Sequence, residues 1–138
     1  MIIETKYHGK IQVDENDVII FEHGIPGFLN ESRFMLLPFS DDSLFVIMQS
    51  LETPHLGFVL TNPFHFFKEY NIELPEYIVE ELKITTEKDV AIYTILTVQD
   101  PFEKTTANLQ APIVINVNKK LGKQFIISNT SYTTRHQL

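Results

Sequence analysis

The sequence predicts a mostly β protein: a single-domain mixed or antiparallel pseudo-barrel, β-barrel-like, with one or two short helices. Three observations carry this expectation. Apolar runs rich in β-branched and aromatic residues are short and recur at close intervals. Turn residues punctuate almost every gap between them. Helix is scarce: Asn62-Pro63 opens "PFHFF" and Pro75 opens "PEYIVEELKI", so helix is confined mainly to the stretch from Pro63 to Lys83.

In order along the chain, "IIETKY" and "KIQV" flank His8-Gly9 as a hairpin, and "DENDVIIF" gives a turn and a third strand over 18–21. "GIPGF" is a loop, in which Gly24 and Gly27 permit positive φ while Pro26 stiffens the chain between them. "RFMLLPF" and "LFVIMQS" are strands joined by a turn at Ser40-Asp41-Asp42-Ser43, and "GFVLT" is a further strand. Asn62 ahead of Pro63 sets up a short helical turn. Pro75 repeats the device before a helix whose Ile78 and Leu82 share one face and whose Glu76, Glu80 and Glu81 lie toward water. "DVAIYTILTVQ" is apolar on both faces and reads as a central strand, ended by Asp100-Pro101. A hairpin follows: a strand over 111–117, "NKKLGK" as its turn and "QFII" returning. The domain spans residues 1–138, with 133–138 a loosely held tail.

Composition narrows the function classes. The 138 residues contain no cysteine, which excludes disulfides, thiolate catalysis and cysteine-based zinc sites. A formal net charge of −7 repels nucleic-acid phosphate, so no direct nucleic-acid partner is expected. The opening residues do not read as a signal peptide and no segment approaches a membrane span. The expected location is therefore the cytoplasm, with no membrane contact and a monomeric free state. His8, His23, His55, His65 and His136 form no metal-ligand spacing, no Gly-x-Ser-x-Gly occurs, and no phosphate-binding glycine loop is present. An enzyme, a cofactor and a metal are all unexpected.

Two features stand out. From Glu69 to Asp89 seven acids (Glu69, Glu73, Glu76, Glu80, Glu81, Glu87, Asp89) face two lysines, a net −5, which reads either as a solvated helix face or as a docking face for a basic partner. Beside it, Phe64, Phe66, Phe67 and Tyr70 either plug one end of the barrel or wall an apolar groove for a partner's amphipathic helix. The polar, uncharged "TTANLQAP" supplies hydrogen-bonding side chains. Its Asn108 and Gln110 suit a bonded closure or a polar rim, with Asn108 and Pro112 read as structural.

"GIPGF", "FVLTNPFHFF", "VAIYTILTV" and above all "TTANLQAPIVIN…KKLGKQ" resemble the flagellar assembly factor FliW family, with the motifs in family order over nearly the whole chain. The resemblance implies a small, non-enzymatic, cytoplasmic β-barrel-like protein that binds two partners, flagellin before export and the RNA-binding translational regulator CsrA. Such a protein sequesters CsrA until accumulating flagellin displaces it. The competing classes are a small-ligand-binding barrel, which needs a closed apolar cavity, and a hydrolase of another type, which needs a cleft gathering histidines or carboxylates.

Overall fold

The computed structural model describes residues 1–39, 44–128 and 130–138; the turn expected at Ser40–Ser43 lies outside them. Seven strands close a mixed barrel: β3 (Ile19–Ile20), β4 (Arg33–Pro38), β5 (Phe45–Ser50), β6 (Gly57–Thr61), β7 (Val90–Thr97), β9 (Ile113–Asn116) and β10 (Leu121–Gln124). Neighbours run antiparallel except β3 and β10, which are parallel at Ile20 and Leu121. Closure falls to β7, which pairs with β6 at Leu60 and Thr61 and with β9 from Val90 to Tyr93. Strand β8 (Thr106–Ala107) extends the sheet from the end of β7, and β1 (Ile2–Glu4) with β2 (Lys10–Gln12) forms a separate hairpin.

Alternation along the strands divides the apolar residues into layers. Phe34, Met48, Leu60, Ile113 and Ile115 point inward with Ile19, Phe21 and Ile25 and fill the barrel. Met35, Leu37, Ile47, Val59 and Leu96 point outward and are covered by Ile11 and Val13 from the first hairpin and by Tyr132 and Leu138. The third layer lies under helix α1 (Glu76–Glu81), whose Ile78 and Leu82 pack on Val114 and Phe125. Because β7 contributes to all three layers, it is apolar on both faces, as a central strand should be.

Three expectations need correction. The return strand of the last hairpin begins at Leu121, three residues before "QFII". The buried Asn116 closes the turn early, its Oδ1 accepting from the backbone N–H groups of Asn118 (3.0 Å) and Lys119 (3.1 Å). Gly122 is thereby drawn into the barrel wall, where a Cβ would stand 2.5 Å from the Phe21 ring. Pro75 is itself the capping residue of α1, with no side chain capping the helix, rather than its first turn. The C-terminal tail is not loose: β11 (His136–Gln137) pairs antiparallel with β8, and the Leu138 N–H donates to the Thr105 carbonyl at 3.3 Å. Both strands are too short to carry a periodic signal, and their pairing joins segments thirty residues apart.

Candidate functional site

Helix α1 buries only its Ile78–Leu82 face, and its other apolar side is left open. Between it and β7 runs a groove of about 740 Å³, walled by Phe64, Ile72, Leu74, Val79, Ile84 and Ile92, with Glu73 and Glu87 at its rim. The local sequence sets Phe64 in place. Asn62 Oδ1 accepts from the Phe64 N–H at 2.9 Å, Pro63 is buried, and a single 3₁₀ turn (Pro63–His65) results. Phe64 is one signal of the groove in the sequence; Val79, apolar but off the Ile78–Leu82 face, is a second one that the sequence pattern alone passes over.

The clustered rings do not act together, because consecutive residues leaving a tight turn point apart. Phe64, 41% exposed, stands at the groove, 5.8 Å from the Tyr70 ring. Phe66, 36% exposed, stacks on Phe45 at 6.0 Å. Phe67 is half-buried in the outer apolar layer, edge-on to His136 at 6.2 Å. Tyr70 lies beneath the surface, its ring 4.8 Å from Tyr132 and its hydroxyl donating to the Leu109 carbonyl at 2.6 Å. Burial holds that hydroxyl far above the ordinary phenol pKa. Tyr70 therefore offers no surface in the free protein.

The acids separate in the same way. Glu69, Glu73, Glu76 and Glu80 are exposed, and Asn71, also exposed, keeps the approach to the helix polar. Glu81 is different: it is partly buried and accepts from His23 Nε2 (2.9 Å) and Lys123 Nζ (3.2 Å). This ties the end of α1 to His23, just ahead of the "GIPGF" loop, and to β10, around a cavity of about 120 Å³. Lys123 is thus a strand residue paired with Glu81, not part of the turn expected over "NKKLGK". The backbone of the loop is constrained at its glycines. Gly24 has φ 68°, and a Cβ there would meet the Leu29 carbonyl oxygen at 2.5 Å. Gly27 also has positive φ, and Pro26 lies between them in a tight bridge of Ile25 with Phe28.

"TTANLQAP" is a hydrogen-bonded seam. Thr105 is fully buried, and its Oγ1 accepts from the Gln99 N–H at 3.0 Å. The Asn108 N–H donates to Ile95, and Asn108 Oδ1 accepts from the Ala111 N–H at 3.0 Å. The Gln110 N–H donates to Thr133 while its carbonyl accepts from Ile127, and the carbonyl of the buried Pro112 accepts from Phe125. A polar segment without charge is what such a seam needs, because every bond in it joins backbone to backbone or to a neutral side chain.

Among the described residues no three histidine or carboxylate side chains are grouped to hold a metal ion, and no helix is long and apolar enough to cross a membrane. The groove beside α1 combines apolar walls with an acidic rim and is open to solvent.

Comparison with known proteins agrees with this architecture. The family model described as FliW protein matches residues 2–138. A flagellar assembly factor FliW from Geobacillus sp. strain WCH70 is 61% identical over 138 residues, covering 100% of this chain and 95% of the relative. The one from Bacillus subtilis strain 168 is 49% identical, covering 100% and 96%. A crystal structure of the flagellar assembly factor FliW superposes with a TM-score of 0.94 at 57% identity, covering 99% of this chain and 96% of that one.

Proposed function

The chain belongs to the FliW family of flagellar assembly factors, and we propose that it works in the cytoplasm as a partner switch between flagellin and the translational regulator CsrA. Free of flagellin it holds CsrA and relieves repression of flagellin translation; flagellin that accumulates before export occupies it and releases CsrA. No catalytic step is required, only two binding equilibria that oppose one another.

The observation that favours this reading is the coincidence of an apolar groove with exposed acids, Glu76 and Glu80 on the helix that walls it and Glu73 just before that helix. A basic RNA-binding regulator is attracted to such a face, and the apolar walls retain it after encounter. The same negative surface adds repulsion against RNA approaching a bound regulator. Glu81 is left out of this set because His23 and Lys123 already engage it.

The test is the charge-reversed variant Glu73→Lys/Glu76→Lys/Glu80→Lys. Exposed charges act chiefly on the association rate and are screened by salt. Association with CsrA should slow markedly at low ionic strength and lose most of its salt dependence, with each charge contributing less than about 1 kcal/mol. Rates equal to those of the wild type at low salt would remove the groove from the regulator's binding face.

A further inference from the structure

The segment that leads into α1 belongs to no sheet, yet it is built like a strand. Over residues 71–74 burial alternates: Asn71 and Glu73 are exposed, while Ile72 and Leu74 are half-buried and line the groove. That period of two marks an extended chain, whose backbone groups leave opposite edges at successive residues. The Asn71 N–H donates to the Tyr132 hydroxyl at 3.1 Å, and Tyr132 walls a different recess, with Phe67 and Leu109. The edge shared by Asn71 and Glu73 therefore faces Tyr132, and the edge shared by Ile72 and Leu74 faces the groove. Among the described residues, none bonds to the N–H or the carbonyl of Ile72 or Leu74. Two donors and two acceptors thus stand in a row beside an apolar recess, as on a sheet edge that lacks its next strand.

We propose that the groove takes an extended peptide segment of apolar–basic–apolar pattern, which adds as an antiparallel strand to residues 71–74. This rests on the reading of the groove as a protein-binding face, and adds the conformation and pattern of what binds there. A helix has its backbone bonded internally, so in the same groove it would strip water from the groups of Ile72 and Leu74 and replace none of it. An antiparallel strand satisfies all four, because each residue facing Ile72 or Leu74 exchanges two bonds with it. Side chains of facing residues lie on one face, so these two point into the groove with Ile72 and Leu74, toward Val79 and Ile92, and must be apolar. The residue between them stands outward beside Glu73, with Glu87 also on the rim, and a basic side chain suits it. Pro75 has no N–H and ends the edge, so the segment is short: about five residues, or about 16 Å.

The experiment titrates the isotope-labelled protein, followed by nuclear magnetic resonance, with the end-blocked peptide Arg-Val-Arg-Val-Arg and with two backbone N-methylated forms of it. In one form both valines carry the methyl group; in the other only the central arginine does. The unmodified peptide should shift resonances along the groove and slow amide exchange at Ile72 and Leu74 while leaving Glu73 unchanged. Methylating both valines removes the donors that reach the Ile72 and Leu74 carbonyls, and should weaken binding at least about tenfold. Methylating the central arginine, whose N–H points away from the edge, should leave affinity within about twofold. All three peptides share side chains and charge, so attraction to the net charge of −7 cannot separate them. Equal binding of all three overturns the added strand and leaves only side chains filling the groove. Binding with shifts outside the groove, or no binding by any peptide, overturns the proposal as well. The charge-reversed variant decides independently whether the regulator uses this face.

Discussion

Asp89 shows how one side chain can hold several elements. Its Oδ2 accepts from the Thr85 hydroxyl (2.8 Å) and from the backbone N–H groups of Thr85 and Thr86 (both 3.1 Å), and its Oδ1 accepts from Asn118 Nδ2 (2.6 Å). The bonds donated by Thr85, then by the Thr86 backbone, lower its pKa from 3.8 to about 2. A carboxyl depressed in the folded state stabilises above its unfolded value, and that stability is lost as pH falls from about 4 toward 2. In Asp89→Asn an amide replaces one accepting oxygen, so the variant should melt lower at neutral pH and approach the wild type between pH 4 and pH 2. Parallel melting curves across that range would show that the carboxylate does not hold the turn. Asn116, nearby and buried, works without charge. Its Nδ2 donates to the carbonyls of Leu82 (2.8 Å) and Lys83 (3.2 Å), satisfying the end of α1.

At the scale of elements, the C-terminal strand matters more than its two residues suggest. β11 covers the free edge of β8, Tyr132 packs on Tyr70, and the Tyr132 hydroxyl accepts from the Asn71 N–H at 3.1 Å. Deleting residues 133–138 should expose that edge and part of the outer layer, costing on the order of 2 kcal/mol and several degrees of melting temperature. A truncated chain that melts with the full-length protein would contradict the account. What could be read from sequence divides along the same line. The helix at "PEYIVEELKI", the capped turn at Asn62 and the central strand were legible because each depends on neighbouring residues. β8 and β11 were not, since two-residue strands exist only through partners far along the chain. Nor were the directions of Phe64, Phe66 and Phe67 legible, since the turn geometry and the position of Phe45 decide them. Glu81 looked like its exposed neighbours because His23 and Lys123 are distant in sequence.

For the molecule as a whole, the barrel interior is occupied by its own side chains, so binding is left to the exterior, where α1 and the outer layer are each incompletely covered. Phe64 and Phe66 leave the same 3₁₀ turn in different directions, the first to the groove beside α1 and the second onto Phe45. The most direct test follows labelled flagellin leader RNA binding to CsrA by fluorescence anisotropy, with this protein present in excess, as flagellin is titrated in. The account predicts that RNA binding is suppressed at the start and returns as flagellin approaches the concentration of the protein. Suppression that persists when flagellin is fully bound, with all three proteins in one complex, would contradict the switch.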